Sequence, residues 1–132
     1  MDKTKPFDIP KVLVWKEFHL VKANKGSAGV DQESIIDFEE NLSENLYKLW
    51  NRLSSGTYFP PAVKGVAIPK KQGGTRMLGV PTVSDRVAQM AIKLAFEPCV
   101  EPYFLQDSYG YRPNKSALDA VGITRQRCWY YN

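Results

Sequence analysis

Histidine occurs once in this chain, at His19, and cysteine twice, at Cys99 and Cys128. No spacing among the three suits a metal, so zinc is not expected and both thiols are read as reduced. Long apolar runs are also missing, and none approaches the roughly 20 residues that cross a bilayer. The charged N-terminus lacks the apolar core of a signal peptide. A cytoplasmic protein with no membrane contact is the expectation. Neither repeats nor low-complexity tracts suggest a second function.

What is present is an ordinary globular composition. The 132 residues are 43% hydrophobic and 24% charged, enough for one modest core and one domain or less. The net charge of +4 is unevenly spread: residues 1–60 carry 8 Lys and Arg against 9 Asp and Glu, and residues 61–132 carry 10 against 5. A basic half is compatible with binding a phosphate backbone, although many proteins have basic faces.

Helical periodicity dominates the first half. After a proline-punctuated lead-in to Pro10, the spacing of Val14, Trp15, Phe18 and Val21 predicts an amphipathic helix over residues 11–23, with Lys16 and Lys22 towards solvent. His19 belongs to this helix as a surface or half-buried residue. Residues 24–31 hold Gly26 and Gly29 among small side chains and have no periodicity. They read as a loop, either a flexible flap whose Lys25 and backbone amides touch phosphates or a plain connector. Ser34 and Asp37 have capping-box spacing and open a short helix through Leu42. From about Ser43 to Ser54, Leu46, Leu49, Trp50 and Leu53 form one stripe, which Gly56 ends. Aromatic residues at such spacing pack more often than they stack on bases. Pro60 and Pro61 then force extended backbone.

Residues 63–89 organise the rest. Two short apolar runs, 62–68 and 77–80, flank Lys71-Gln72-Gly73-Gly74, and Gly-Gly between β-type runs signals a hairpin. Val66 and Ile68 should share one face and Gly65 and Ala67 the other, with Leu78 and Val80 on the returning strand. Lys70, Lys71 and Arg76 gather positive charge beside glycines at the tip. That suits a polyanion such as a triphosphate, and it equally suits solvated charges that guard a hairpin edge. Pro81 stops the strand, and the Thr82–Asp85 capping box opens a helix to about Glu97. Val87, Met90, Ala91, Leu94 and Ala95 should face inward there, with Pro98 and Pro102 breaking or bending the chain beyond it. In residues 107–113, Tyr109, Tyr111 and Arg112 are types that clamp an unpaired strand or anchor a loop on a core. A further box, Ser116 to Asp119, opens a last helix through Val121, Ile123 and Cys128, whose free amides lie beside Lys115 and Ser116.

Three blocks of this sequence together resemble one family. The run Ile68-Pro69-Lys70, then Gly73-Gly74-Thr75-Arg76, then Leu78-Gly79-Val80-Pro81-Thr82-Val83-Ser84-Asp85-Arg86-Val87-Ala88-Gln89 is similar to the first fingers motif of reverse transcriptases encoded by bacterial group II introns, the intron maturases. Upstream, Val21 to Asp31 resembles the family's N-terminal extension loop. Downstream, Asp107-Ser108-Tyr109-Gly110-Tyr111-Arg112-Pro113 with Lys115-Ser116-Ala117-Leu118-Asp119-Ala120 resembles its second fingers motif. Retron, diversity-generating and CRISPR-associated relatives share parts of the pattern; residues 24–31 and 116–120 favour the intron type.

The resemblance implies Lys70 and Arg76 on the triphosphate of an incoming dNTP. It implies Lys25, Gly26, Lys64, Ile68, Leu78, Val80, Arg86, Gln89, Tyr109, Arg112, Lys115 and Ser116 on template or other RNA, with Ile68, Leu78 and Val80 against the templating base. Ordinary strand core and solvated helix faces are the plainer readings of the apolar and helical positions. Nucleotide addition needs metals held by carboxylates, and Asp and Glu are scattered in this chain. The family's catalytic aspartates lie in a palm that would come after Trp129-Tyr130-Tyr131-Asn132. No catalytic or metal-binding residue and no cofactor is therefore expected in this chain, and Mg2+ is expected for the full-length parent.

The expected fold is α+β, mostly helical with a β-hairpin, as the fingers of a right-hand polymerase with an incomplete palm. It divides into an N-terminal extension at about 11–60, hairpin and helix at about 61–100, and the second motif at about 105–128. Expected partners are intron or template RNA and dNTP, with a DNA primer for the parent; a homodimer is left open as a further reading. Such a piece should grip nucleotide and template without polymerising alone. The alternative is a stand-alone RNA-docking module without nucleotide chemistry, and a folding or dimerisation domain is a third reading.

Overall fold

The computed structural model describes residues 6–130. In chain order they form helices α1 (Lys11–Asn24), α2 (Ile35–Glu40) and α3 (Leu42–Ser55), strands β1 (Lys64–Pro69) and β2 (Thr75–Val80), and helix α4 (Val83–Val100). A 3-10 turn (Glu101–Tyr103) and helix α5 (Ala117–Tyr130) complete them. The class is α+β, as expected, with one two-stranded antiparallel sheet. Two compact units divide the chain, the first ending at Ala95 and the second beginning at Phe96.

The first unit owes its core to one apolar stripe per helix. Val14, Phe18 and Val21 come from α1, Phe38 from α2, Leu46, Leu49 and Leu53 from α3, and Val83, Val87, Ala88 and Ala91 from α4. Residues three and four apart share a helix face, so each set buries together. Phe18 stacks on Phe38 with ring centroids 5.7 Å apart. Trp15, expected inside, is 48% exposed, while Glu17 is fully buried. Counting back from Phe18 and Val21 explains the exchange: position 17 falls in the stripe Val14–Val21, and position 15 falls on its flank. Neither carboxylate oxygen of Glu17 has a hydrogen-bond partner among the described residues. Desolvation accordingly raises its pKa above 4.5, with the positive charge of Lys93 acting in the opposite sense.

Helix ends obey the local chemistry. Ser34 Oγ accepts the Asp37 N–H at 3.2 Å, and Asp37 Oδ2 accepts the Ser34 N–H at 2.9 Å, a complete capping box. Gly56 stops α3 at φ 72°, where its N–H and that of Thr57 satisfy the last carbonyls. Pro98 does not end α4, contrary to expectation; the helix runs on to Val100. Pro98 sits in the last turn, where its missing N–H forfeits one hydrogen bond and little helix remains to disrupt. Ala95, expected inward, is exposed. Among the described residues no helix is long and apolar enough to cross a membrane.

The second unit is built differently. Its helix α5 has no buried residue, and Leu118, Val121 and Trp129 are largely exposed. Polar ties shape it. Arg112 donates to Glu101 Oε1 from Nε at 3.0 Å and Nη2 at 2.6 Å, and Nη1 reaches the carbonyls of Leu105 at 2.6 Å and Ser108 at 3.0 Å. Arg127 forks onto both oxygens of Asp107, each at 2.9 Å.

Candidate functional site

The hairpin register decides which side chains share a surface. Lys64 pairs with Val80, Val66 with Leu78 and Ile68 with Arg76, while Gly65, Ala67 and Pro69 oppose Gly79, Met77 and Thr75. Directly opposed residues project to the same face, and alternate residues along a strand do likewise. One face therefore carries Lys64, Val66, Ile68, Arg76, Leu78 and Val80. Lys70 lies just past the end of β1. Its N–H bonds the Gly74 carbonyl at 2.9 Å, which makes Lys70 a diagonal neighbour of Arg76.

The turn between the strands explains the glycines. Gly73 donates to the Lys70 carbonyl at 3.2 Å, closing a tight turn, and Gly73 and Gly74 lie at φ 88° and 81°. Side-chain-bearing residues rarely adopt that backbone. A β-carbon at either glycine would meet no atom within 4 Å. Neither Lys70 nor Arg76 forms an ion pair among the described residues, and both are exposed. The apolar members of the face are not core: Leu78 is 46% exposed and Val66 36%. A two-stranded ribbon has no third strand or covering sheet to bury them.

Buried polar contacts hold the base of this ribbon. Tyr58, before β1, donates its hydroxyl to Asp85 Oδ1 at 2.8 Å, and Gln89 Nε2 donates to Asp85 Oδ2 at 2.7 Å. Thr82 Oγ1 accepts the Asp85 N–H at 3.2 Å. Asp85 is buried, and both its oxygens are satisfied. Burial, reinforced by the bond to the Asp85 carboxylate, pushes the Tyr58 phenol well above its ordinary pKa and keeps it a donor. The chain before the ribbon is thus tied to the helix after it. Sequence reasoning missed this strap, and the Asp85/Gln89 spacing of one helical turn was its only signal.

Of the residues expected to meet RNA, Lys25, Gly26, Arg86 and Gln89 come together where the loop after α1 passes α4. Lys25, Arg86 and Gln89 line a groove of about 410 Å3 with Val21, Asn24, Met90 and Lys93. Arg86 donates to the carbonyls of Lys25 at 3.3 Å and Ser27 at 2.7 Å. The loop has no regular secondary structure, as expected, but it is fastened to the helix.

Tyr109, Arg112, Lys115 and Ser116 lie in the second unit, with much of their polar capacity used internally. Arg112 is held as described. Lys115 Nζ donates to the Gln106 carbonyl and lies 4.8 Å from the centre of the Tyr109 ring. Ser116 and Asp119 form the expected capping box, the hydroxyl donating to Asp119 Oδ2 at 2.7 Å and accepting the Asp119 N–H at 3.2 Å. Tyr111 stands fully exposed at φ 55°. No group of three or more His, Cys, Asp or Glu able to hold a metal ion occurs among the described residues.

Comparison with known proteins agrees with the sequence motifs. No protein-family model matches the chain. Protein YkfC of Escherichia coli is 39% identical over 93 residues, covering 70% of this chain and 24% of that protein. Group II intron-encoded protein LtrA of Lactococcus lactis is 34% identical over 102 residues, covering 75% of this chain and 16% of LtrA. Maturase-like protein 1 of Euglena gracilis is 29% identical over 106 residues, covering 79% of this chain and 22% of that protein. The chain spans about a quarter or less of the length of these curated relatives.

Proposed function

We propose, on the premise that this chain is a relative of the group II intron-encoded reverse transcriptases and maturases, that it is the nucleotide- and template-gripping part of an RNA-directed DNA polymerase. The ribbon face is the grip. Lys70 and Arg76 meet the triphosphate of an incoming dNTP, and Ile68, Leu78 and Val80 form the wall against the templating base, with Lys64 beside it. The observation that carries this reading is the register, which gives Lys64, Ile68, Arg76, Leu78 and Val80 one common face, with Lys70 just past the end of β1 and bonded to the Gly74 carbonyl. Two cations without an ion-pair partner among the described residues, beside an open glycine turn, are chemically suited to a polyphosphate. A flat apolar surface holds a base by packing and leaves pairing to read its identity.

RNA is gripped by a second surface, where Lys25 and Gly26 lie beside Arg86 and Gln89. A further RNA contact is assigned to Tyr109, Arg112, Lys115 and Ser116 of the second unit, with Tyr109 offering a ring face for stacking. Phosphoryl-type transfer in the full-length parent would use Mg2+ and a DNA primer. The contribution we assign to this chain is binding and orientation.

Charge reversal separates this reading from a plain RNA-docking module. The double variant K70E/R76E should retain most of the affinity of the chain for single-stranded RNA in a filter-binding titration while losing direct binding of a labelled dNTP. Loss of RNA affinity in proportion, with no dNTP binding by the unaltered chain, favours the docking module. No salt-dependent RNA affinity at all would overturn both.

A further inference from the structure

The loop after α1 is pinned to the start of α4 at two points, and its backbone is strained at one of them. Gly29 is buried against Thr82, where a β-carbon would lie 2.7 Å from Thr82 Cα and 2.8 Å from its nitrogen. Only glycine lets the loop lie so close to the first turn of the helix. At the other point the Arg86 fork spans two carbonyls, of Lys25 and Ser27, and its Nε is buried without a partner among the described residues. Lys25 itself has φ 56° and ψ −157°, a region populated almost only by glycine, at a cost on the order of 1–3 kcal/mol for other residues. Strain of that size persists only where neighbours enforce it. The hydrogen bond from Arg86 to the strained residue's own carbonyl is positioned to do so.

We propose that Arg86 is a positioning residue: it fastens residues 25–29 on α4, so that Lys25 and the loop amides are presented to RNA, and does not itself ion-pair with an RNA phosphate. This deepens the RNA-gripping reading above and rests on it. A guanidinium holds two carbonyls at once because its donors form a rigid fork, whereas a lysine ammonium is a point donor on a flexible stem. Charge alone would make Arg86→Lys harmless. Positioning makes it nearly as damaging as Arg86→Ala.

Two measurements on the full chain test this: amide exchange of residues 25–31 without RNA, and single-stranded RNA affinity across a salt series. Both R86A and R86K should speed exchange in the loop about tenfold and weaken RNA binding, with the slope of log affinity against log salt unchanged. Lys25→Gln should instead lower that slope by about 0.7, the value for one phosphate contact on a single strand, and leave loop exchange alone. Gly29→Ala, which pushes the loop away from Thr82, should reproduce the exchange pattern of R86A, and the two changes together should cost less than their sum. The proposal is overturned if R86A lowers the slope by about 0.7 with loop exchange unchanged, or if R86K keeps full loop protection. A chain that binds no RNA would refute the RNA reading alone, since exchange still decides whether Arg86 holds the loop.

Discussion

The two units of this molecule solve the same problem by different means. Every buried hydrophobic side chain among the described residues belongs to the first unit. There, four helices contribute one stripe each, and burial of apolar surface dominates the energetics. In the second unit, α5 has no fully buried residue, and the loop before it is shaped by the ties of Arg112, Lys115 and Arg127. Apolar burial is non-directional and is not subject to ionic screening, whereas ion pairs are directional and screened when exposed. The first unit should therefore behave as a scaffold and the second as an electrostatically set surface.

Removing a core ring should give the largest effect. Phe18→Ala deletes a fully buried side chain stacked on Phe38, and about 3–5 kcal/mol of stability should be lost in denaturant unfolding. Leu118→Ala in α5, where the side chain is 82% exposed, should change stability by less than about 0.5 kcal/mol. Comparable losses at the two positions would erase the distinction between the units.

Next in size is the clamp of the second unit. The Arg112 side chain is 10% exposed and that of Glu101 29%, so solvent screening is weak and removing the cation strands a half-buried carboxylate. Arg112→Ala should lower the local opening free energy of residues 105–112 by about 2–3 kcal/mol in native-state hydrogen exchange. Arg112→Lys should recover little of it, because one ammonium cannot satisfy Glu101 and two carbonyls together. Full protection in either variant would mean that apolar contacts hold this unit after all.

A smaller effect of opposite sign is expected at Glu17. Its carboxylate is buried without a hydrogen-bond partner among the described residues, and replacement by Met of similar shape should stabilise the first unit by about 1 kcal/mol. Burial raises the Glu17 pKa above 4.5 in the folded chain, so the folded state holds this proton more tightly than the unfolded one. The contribution is fully present below pH 4.5 and is lost as pH rises through the raised value. Denaturation midpoints measured across that window should show a slope in the parent chain that Glu17→Met removes. An unchanged slope would place the titration elsewhere.

Much of the first unit was legible in the sequence because its signals are local. The capping box at Ser34, the glycine stop at Gly56 and the Gly73-Gly74 turn each act through residues within four positions. The illegible part depends on contacts across the chain. The burial of Glu17 in place of Trp15 is a matter of helix phase once neighbouring helices are in place. The Tyr58–Asp85 strap spans 27 positions and the Arg86 fork about 60, with nothing local to announce either. The same holds for the second unit: Arg112 carried a nucleic-acid signal by residue type, yet its donors reach Glu101, Leu105 and Ser108. A cation's type advertises an anion without saying which one.

Whether the ribbon's cations share one polyphosphate can be tested most directly by tracking backbone amide resonances of the full chain during titration with a dNTP. Saturable shifts should centre on residues 68–76, and inorganic triphosphate should reproduce those at Lys70 and Arg76. Both sets should vanish in K70E/R76E. Shifts that are absent, that fall away from the ribbon, or that persist in the charge-reversed variant would contradict the account.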